Sequence, residues 1–392
     1  MADFKYLIIG GGMTADAAVQ GIRAIDRSGS IGMISDEHHP PYNRPPLSKA
    51  LWKGDPLDGI WRRTPQDHLR VILDTTVSRV DPAGKRVIDS GGKSYSYGKL
   101  LLATGGRPRR MKQDPGGVLY FRTLDDYTRL REECREGTSF AVIGGGFIGS
   151  EIAAALAMNG KSVTMVFPQE TLGGRVYPLP LGRFLNEYYG GKGVNLLAGE
   201  SVTGIEKTGA RYIVRTTAGK QIDADGVVAG IGIEPNTGLA AAAGLAVENG
   251  IRVDQMLRTS LPNIFAAGDV ANFPGGPLGR NIRVEHEDNA NTMGSTAGKN
   301  MAGESLPYTH IPFFYSDLFD IGYEAVGDLD AGMETVADWK EEFREGVVYY
   351  LSAGHVRGVL LMNTWGKVDA ARGLMTEQRT FTKEDLTGLI RS

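Results

Sequence analysis

The chain has 392 residues, more than one hydrophobic core usually spans, so its length predicts two or three domains. A formal charge of −3 gives no global electrostatic reason to expect nucleic acid or an anionic membrane as a partner. The single cysteine, Cys134, excludes an internal disulfide and a Cys-x-x-Cys redox pair. No apolar run is long enough for a membrane span, and strand-like KYLIIG follows the N-terminus without a leader, so we expect a soluble, cytoplasmic protein.

The first predicted unit is a strand at residues 6–9, a glycine turn, a helix over about 14–25 and a second strand that ends near residue 36. Residues 71–98 alternate between apolar and polar and contain DPAG and SGG turns, which predicts antiparallel hairpins. Residues 100–106, LLLATGG, predict another short buried strand.

The same order of elements then repeats, with a strand at residues 140–143, a glycine turn, a helix to about 160 and a strand to 167. Residues 212–228 predict further hairpins, and NIFAAGDV predicts a strand that enters a glycine turn. After residue 312, short alternating strands and a terminal helix follow. The sequence therefore predicts an α/β fold with two Rossmann-like dinucleotide-binding domains and a C-terminal α+β domain.

The first glycine turn has the spacing G-x-G-x-x-A, with Gly10, Gly12 and Ala15 at its fixed positions. The first glycine makes the tight turn, the second lets a pyrophosphate approach the backbone, and the small third residue lets helix and strand pack closely. Asp36 ends the second strand, where a carboxylate can accept a hydrogen bond from a ribose hydroxyl. Together these features predict a dinucleotide site.

The second turn places Gly144, Gly146 and Gly149 in the same pattern. The acidic residue expected after the next strand is replaced by Gln169 or displaced to Glu170, and Arg175 lies just beyond. A neutral glutamine with an arginine tolerates a 2′-phosphate better than a carboxylate does, so the choice between NADH and NADPH stays open, with a slight preference for NADH.

Four longer segments resemble a known family: PYNRPPLSKALWKGD, ATGGRPR, TSLPNIFAAGDV and RVEHEDNANTMGSTAGKNMAGESLPYTHIPFFYSD. They are similar to the ferredoxin reductase-like FAD/NAD(P)H oxidoreductases, and within that family to its apoptosis-inducing factor-like members. The similarity covers essentially the whole chain. Its RPPLSK and VEH motifs are more specific than the glycine turns.

The resemblance implies that FAD binds the first unit and that NAD(P)H binds the inserted second unit. It predicts a discontinuous FAD-binding domain at residues 1–122 and 250–312, an NAD(P)H-binding domain at 123–249 and a C-terminal domain at 313–392. The implied FAD-binding residues are Gly10, Gly12, Ala15, Asp36, Arg44, Lys49, Thr104, Gly105, Arg109, Asp269, Glu285, His286 and Tyr315. The implied NAD(P)-binding residues are Gly144, Gly146, Phe147, Ile148, Gly149, Gln169, Arg175 and Gly232.

The resemblance assigns catalytic roles to Lys49, Glu151, Phe147 and His286. Lys49 is expected near the flavin ring, paired with Glu151, because a nearby cation stabilises the anionic reduced flavin. Phe147 and His286 are expected to hold the nicotinamide ring against the flavin. The structural alternative is a surface lysine, a glutamate favoured by the helix dipole, simple helix-start packing for Phe147 and a hydrogen-bonded structural role for His286.

The implied function is transfer of electrons from NAD(P)H through FAD, without a redox disulfide, to a ferredoxin- or rubredoxin-type iron–sulfur protein or a small acceptor. The alternative is a redox sensor or assembly protein that oxidises NADH slowly, keeps a long-lived reduced flavin–NAD complex and dimerises in response. We expect no metal site, and the resemblance is compatible with a homodimer. Tyr315 stands where apoptosis-inducing factor has a tryptophan, and a role in cell death does not carry over.

Two basic clusters lie outside these motifs. One contains Arg107, Arg109, Arg110 and Lys112, and the other contains Arg62 and Arg63. Such clusters could attract an acidic ferredoxin or contact nucleic acid nonspecifically, but solvated loops with one arginine on FAD are the simpler interpretation.

Overall fold

The computed structural model describes residues 2–390. Its helices are α1 Met13–Ile25, α2 Leu124–Glu136, α3 Phe147–Met158, α4 Leu179–Gly191, α5 Gly238–Ala242, α6 Glu287–Met301, α7 Val368–Thr376 and α8 Lys383–Leu386. Short 3-10 helices span Pro45–Ser48, Ala50–Trp52, Leu57–Ile60, Gly268–Val270 and Gly276–Leu278. The strands are β1 Ala2–Ile9, β2 Ile31–Ile34, β3 Leu69–Ile72, β4 Val77–Asp81, β5 Arg86–Asp89, β6 Ser94–Leu102, β7 Gly106–Pro108, β8 Ser139–Ile143, β9 Ser162–Phe167, β10 Val194–Ala198, β11 Val202–Thr208, β12 Arg211–Thr216, β13 Gln221–Ala224, β14 Gly226–Ala229, β15 Ile233–Pro235, β16 Val247–Glu248, β17 Gly250–Arg252, β18 Ile264–Ala266, β19 Ala271–Pro274, β20 Asn281–Ile282, β21 Phe313–Leu318, β22 Ile321–Gly327, β23 Glu334–Glu341, β24 Glu345–Ser352 and β25 His355–Met362.

The chain divides into two compact units, and each is built from three segments. The first unit contains Met1–Arg44, Leu57–Arg107 and Glu234–Pro312. The second unit contains Pro45–Pro56, Pro108–Ile233 and Phe313–Ser392. The Pro45–Pro56 segment, which includes Lys49, therefore belongs to the same unit as the second glycine turn.

The first unit contains a seven-stranded sheet with the order β3-β2-β1-β6-β5-β4, to which β18 adds beside β6. Strands β1, β2, β3, β6 and β18 pair in parallel, whereas β4, β5 and β6 pair in antiparallel fashion. The central parallel strands are buried on both faces, with Leu7, Ile8, Leu100 and Leu101 fully inaccessible to solvent, whereas the edge strand β3 is only partly buried. This arrangement explains their nearly continuous apolar sequences.

Helices α1 and α6 of the first unit pack closely because small residues line their contact. A Cβ on Gly294 would lie 2.4 Å from the carbonyl oxygen of Thr14, and a Cβ on Gly298 would lie 2.2 Å from that of Ala18. No real side chain fits at such distances. Glycine at these two positions therefore fixes how α6 lies against the start of α1, the helix that follows the first glycine turn.

The second unit contains a parallel sheet with the order β10-β9-β8-β14 and a three-stranded antiparallel sheet with the order β11-β12-β13. Its C-terminal part is a five-stranded antiparallel sheet with the order β21-β22-β25-β24-β23, followed by α7 and α8. Two parallel sheets of Rossmann type and a C-terminal antiparallel sheet with helices confirm the predicted fold class.

Two predicted hairpin segments contain a parallel strand each. Residues 71–72 belong to β3, which pairs in parallel with β2, and residues 226–228 belong to β14, which pairs in parallel with β8. Every residue of β14 is buried. A short apolar run has the same appearance in a hairpin and in a buried parallel strand, so periodicity alone could not separate the two.

Candidate functional site

The first glycine turn joins β1 to α1 in a conformation that needs glycine. Gly10 has a φ of +118°, and its N–H donates to the carbonyl of Ile34 at 2.8 Å. A Cβ on Gly10 would lie 2.2 Å from the carbonyl oxygen of Ala103. Gly12 is the N-cap of α1 and supplies no side-chain cap, and a Cβ there would meet only Arg44 Nη2, at 4.0 Å. The uncapped start of α1 thus borders open space, which suits a pyrophosphate.

The second glycine turn joins β8 to α3 with the same geometry. Gly144 has a φ of +109°, and its N–H donates to the carbonyl of Val166 at 2.9 Å. A Cβ on Gly144 would lie 2.4 Å from the carbonyl oxygen of Gly230. Gly146 is the N-cap of α3, again without a side-chain cap, and a Cβ there would have nothing within 4 Å. Both turns therefore fit a dinucleotide on the same structural test.

The third small residue of each turn also has the predicted environment. Ala15 is fully buried in α1. A Cβ on Gly149 would lie 2.0 Å from the carbonyl oxygen of Gly144, so α3 packs against its own turn more tightly than any side chain allows. Ile148, directly before Gly149 in the first turn of α3, is 38% exposed.

Arg44 lies beside the first glycine turn in a cluster of polar groups. Its guanidinium donates to Tyr42 Oη at 3.1 Å and to the carboxylate of Glu37, and Tyr42 Oη donates to Glu37 at 2.6 Å. Burial opposes the charge of Arg44, but the fields of Glu37, Tyr42 and Asp269 outweigh it and raise its pKa. Asp36 is exposed just after β2. Sequence reasoning missed Glu37, because two adjacent acids gave no signal for which one would turn towards Arg44.

Asp269 and the VEH motif meet in the first unit through an arginine. A Cβ on the glycine before Asp269 would lie 2.2 Å from Thr14 Oγ1, which places this segment against the first turn of α1. Arg283 donates to the carbonyl of Asp269 at 3.2 Å and to the carboxylate of Glu285 at 2.5 Å. His286 is the N-cap of α6. Asp269 and Glu285 are therefore linked by Arg283, which the sequence analysis did not single out.

The ATGGRPR stretch forms hydrogen bonds with other parts of the protein at both of its ends. Thr104 Oγ1 donates to the carbonyl of Asn236 at 2.9 Å, and the Asn236 side chain donates back to the carbonyl of Thr104 at 2.8 Å. The N–H of Asn236 also donates to the carbonyl of Gly105, a residue whose φ is +60°. Arg109 is exposed in the second unit, and its N–H donates to the carbonyl of Gly232 at 2.9 Å. The Thr104 hydroxyl is thus already engaged within the protein.

Lys49 and Glu151 form a buried ion pair in the second unit. Lys49 Nζ lies 2.7 Å from Glu151 Oε2, and the two side chains are 9% and 2% exposed. The carboxylate also accepts from Ser48 Oγ and from Ser316 Oγ, both at 2.6 Å. Lys49 Nζ lies 5.2 Å from the centre of the Tyr315 ring, within range of a cation–π contact. The structure thus brings Lys49, Glu151 and Tyr315 together and adds two serines that the sequence analysis missed.

Phe147 opens α3 and contacts an aromatic ring of the C-terminal sheet. Its ring centre lies 4.8 Å from that of Phe314, with the planes tilted by 55°. Phe314 precedes Tyr315 on β21, so Phe147 contacts the same strand whose Tyr315 lies beside Lys49. His286, predicted to act with Phe147, belongs to the first unit.

The end of β9 presents a neutral side chain where a ribose-binding acid is usual. Gln169 is half-buried. The carboxylate of Glu170 accepts from Arg183 at 2.7 Å and is 62% exposed. Arg175 is exposed, and its carbonyl accepts from the N–H of Ala331 at 3.0 Å. Glu170 is therefore paired with a cation, while Gln169 and Arg175 stay at the positions that the sequence assigned to the nicotinamide dinucleotide.

Cys134 lies in α2 and has no thiol neighbour, because it is the one cysteine of the sequence. Burial raises the pKa of its thiol to about 11. A thiol with so high a pKa is a poor nucleophile at neutral pH. The chain therefore lacks the dithiol that disulfide reductases use.

Alkylation of Cys134 is expected to be slow and without functional effect. At pH 8 a pKa of about 11, against an ordinary 9, lowers the thiolate fraction about 100-fold. Mass spectrometry after treatment with iodoacetamide measures the rate, and Cys134→Ser should oxidise NAD(P)H like the parent protein. Rapid labelling of Cys134 would contradict this prediction, and so would a loss of activity in proportion to the labelling.

None of the helices within residues 2–390 combines the length and apolarity that a membrane crossing needs. Two glycine turns of one geometry, each opening a helix at the end of a parallel strand, define a protein that binds two dinucleotides. The absence of a second cysteine from the sequence separates it from dithiol reductases. These features define the class of flavin- and nicotinamide-binding proteins.

Comparison with known proteins agrees with this class. Residues 4–294 match the model of the family described as pyridine nucleotide-disulphide oxidoreductase, and residues 297–342 match that of the C-terminal domain of mitochondrion-associated apoptosis-inducing factor. The chain is 33% identical to apoptosis-inducing factor 1, mitochondrial, of Dictyostelium discoideum, over 98% of this chain and 80% of that protein. It is also 33% identical to a 5,5'-dehydrodivanillate O-demethylase ferredoxin reductase subunit of Sphingobium, over 96% of this chain and 94% of that protein.

Solved structures show the same relationship. The ferredoxin reductase for the CYP199A2 system from Rhodopseudomonas palustris superposes with a TM-score of 0.90 at 32% identity, over 97% of this chain and 96% of that one. Putidaredoxin reductase, in its covalent complex with putidaredoxin, has a TM-score of 0.89 at 30% identity, over 96% of this chain and 94% of that one.

The chain therefore belongs to the pyridine nucleotide-disulphide oxidoreductase family. The resemblance seen in the sequence to ferredoxin reductases and apoptosis-inducing factor is confirmed. The protein is an FAD-dependent NAD(P)H oxidoreductase, with FAD as cofactor and NAD(P)H as co-substrate.

Proposed function

We propose that this protein delivers electrons from NAD(P)H to an iron–sulfur protein of the ferredoxin or rubredoxin type. The observation that carries the proposal is the single cysteine, since electrons cannot leave through a redox disulfide and must pass from the flavin to the acceptor. Ferredoxin reductases match nearly the full chain, which supports an iron–sulfur acceptor. When bound, FAD accepts two electrons from the nicotinamide and releases them singly.

The proposed roles of the residues follow the two glycine turns. FAD binds the first turn, with Arg44 and Asp269 at its phosphates and ribityl chain, and NAD(P)H binds the second turn. Lys49, balanced by Glu151, supplies positive charge for the reduced flavin. Phe147 and His286 hold the nicotinamide in place. The remaining predicted binding residues and the three-domain boundaries at 122, 249 and 312 are part of the same proposal.

The acceptor is tested by supplying the protein, under anaerobic conditions, with NADH and a purified [2Fe–2S] ferredoxin, or with rubredoxin. We expect bleaching of the iron–sulfur absorption to two equivalents per NADH. The small-acceptor form of the proposal, suggested by the match to monodehydroascorbate reductases of Arabidopsis thaliana, predicts instead turnover with an organic radical or quinone and none with either protein.

The second candidate is a redox sensor in which NADH changes the association of subunits. Its support is the match of residues 297–342 to the apoptosis-inducing factor domain and the 33% identity to the Dictyostelium protein. It predicts a larger sedimentation coefficient after NADH is added. Identical sedimentation with and without NADH would eliminate it.

We also propose a homodimer in the cytoplasm, where NADH and a soluble iron–sulfur carrier meet. Sedimentation equilibrium of the FAD-loaded protein tests the dimer, and fractionation of cells with an antibody tests the location. A single species of about 42 kDa would contradict the dimer.

The Gln169→Glu variant is expected to favour NADH over NADPH by about tenfold more than the parent protein. A carboxylate at the end of β9 can accept from the ribose hydroxyls of NADH, whereas it repels the 2′-phosphate of NADPH. The ratio of kcat/KM for the two nucleotides measures the change. We expect the parent protein to prefer NADH slightly, and Glu170→Gln, which removes an acid already paired with Arg183, is the matched control. An unchanged ratio in Gln169→Glu would remove this residue from the nucleotide site.

A further inference from the structure

The two oxygens of the Glu151 carboxylate have different hydrogen-bond partners. Oε2 accepts from Lys49 Nζ at 2.7 Å and from Ser48 Oγ at 2.6 Å. The partner of Oε1 is Ser316 Oγ, at 2.6 Å. The Glu151 side chain is 2% exposed, so water has little access to replace a lost donor. The orientation of the carboxylate therefore depends on one hydroxyl at one end and on two donors at the other.

Ser316 is held in a buried part of the C-terminal sheet. It lies on β21 directly opposite Tyr323 on β22, and it is 1% exposed. The Tyr323 phenol interacts with Ser316 and accepts a hydrogen bond from Tyr177 Oη at 2.7 Å. Burial raises the pKa of Tyr177 and of Tyr323 far above the ordinary value. Both phenols therefore stay neutral and add no charge near Glu151, which leaves them to act as hydrogen-bonding groups.

We propose that Ser316, supported by Tyr323 and Tyr177, is a positioning residue that fixes the Glu151 carboxylate and so determines how Lys49 acts on the bound flavin. The proposal rests on the role of the Lys49–Glu151 pair put forward above and extends it to the C-terminal sheet. Without the Ser316 hydroxyl, Oε1 would be a buried acceptor with no donor in the described contacts. The carboxylate would then turn to share Lys49 and Ser48 between its two oxygens, and the ammonium would move with it.

Because the two oxygens of Glu151 have different donors, we expect the serine variants of the FAD-loaded protein to differ in the size of their effects. Ser316→Ala should slow reduction of the flavin by NADH about tenfold, a change comparable in free energy to the contribution of one hydrogen bond to a charged group. It should also make the flavin midpoint potential more negative and leave the KM for NADH unchanged. Ser48→Ala should have a smaller effect on both rate and potential, because Oε2 keeps Lys49.

Ser94→Ala is the matched control. Ser94 Oγ is buried with no hydrogen-bond partner, so the same change of side chain there removes no contact with Glu151. Ser316→Thr keeps a hydroxyl and should recover at least half of the lost rate. If Ser316→Ala does not fold, Tyr323→Phe is the alternative test of the proposal. It removes only the hydroxyl that supports Ser316, leaves the direct donors to Glu151 in place, and should shift the flavin potential in the same direction.

An unchanged potential and rate in Ser316→Ala, with FAD bound, would overturn the proposal. So would equal losses in Ser316→Ala and Ser94→Ala, or a larger loss in Ser48→Ala than in Ser316→Ala. This failure is distinguishable from failure of the proposed function. A parent protein that reduces no iron–sulfur protein would refute the function while leaving the potential shift of Ser316→Ala intact.

Discussion

Replacement of Gly146 by valine is expected to leave the protein folded and yellow, but to slow its reduction by NAD(P)H at least 1000-fold. A Cβ at this position has nothing within 4 Å, so the protein itself has room for a side chain. The same space is needed by the pyrophosphate of the nicotinamide dinucleotide, which a valine would exclude from the helix N-terminus. Stopped-flow absorbance of the flavin with NADH measures the loss, and dithionite should still bleach the flavin at the normal rate.

The matched variant is Gly12→Val in the first turn, where a Cβ meets only Arg44 Nη2 at 4.0 Å. It should fold without FAD and be colourless, so the pair of variants assigns one dinucleotide to each turn. Gly10→Ala is the control for a folding defect. Its Cβ would lie 2.2 Å from the carbonyl oxygen of Ala103, and no rearrangement of a side chain relieves that contact. Loss of FAD in Gly146→Val, or normal NADH reduction there, would contradict the assignment.

Replacement of Glu151 by glutamine is expected to destabilise the protein and to make the flavin potential more positive. Lys49 is 9% exposed, and removing one member of a buried ion pair typically costs about 3–5 kcal/mol because the remaining charge is left unpaired. The unpaired ammonium also stabilises an anionic reduced flavin more strongly than the balanced pair does. Urea unfolding measures the free energy of unfolding, and a redox titration measures the potential.

Lys49→Met should also destabilise the protein, but it should move the potential in the opposite direction. The double variant Lys49→Met/Glu151→Leu should recover much of the stability that each single change removes, because neither charge is then buried alone. Single variants as stable as the parent protein, or potential shifts of the same sign, would contradict the role given to the pair.

The glycine turns could be predicted from the sequence because their constraint is local. The positive φ of Gly10 and Gly144 and the close approach of a backbone carbonyl exclude every other residue at both positions. Spacing along six residues therefore determined the turn, the helix start and the strand before it. Gly12 and Gly146, which face open space, were predictable for a different reason, since their spacing implied a ligand.

The cluster around Glu151 could be predicted only in part. Lys49 and Glu151 were paired through the family resemblance, but Ser48 and Ser316 lie 103 and 165 positions from Glu151. A serine in a strand carries no local signal that its hydroxyl will meet a distant carboxylate. The position of Ser316 opposite Tyr323 follows from the pairing of β21 with β22, and hydrophobic periodicity does not determine that pairing.

Arg62 shows how a charge in the sequence can be misread. With Arg63 it was predicted to be part of a solvated basic cluster, yet its Nε lies 2.5 Å from Asp16 Oδ2, and Asp16 is fully buried in α1. Thr64 Oγ1 donates to the same carboxylate at 2.5 Å. Adjacent arginines in a sequence therefore do not imply a shared surface, and Arg63 alone stays exposed.

The most direct test of electron transfer to an iron–sulfur protein is an anaerobic stopped-flow experiment that follows the flavin and a [2Fe–2S] ferredoxin at separate wavelengths after mixing with NADH. We predict rapid flavin reduction, followed by reduction of two ferredoxins per NADH and renewed oxidation of the flavin. Slow bleaching, a persistent long-wavelength charge-transfer band and an oxidised ferredoxin would contradict it, and would support the redox-sensor function instead.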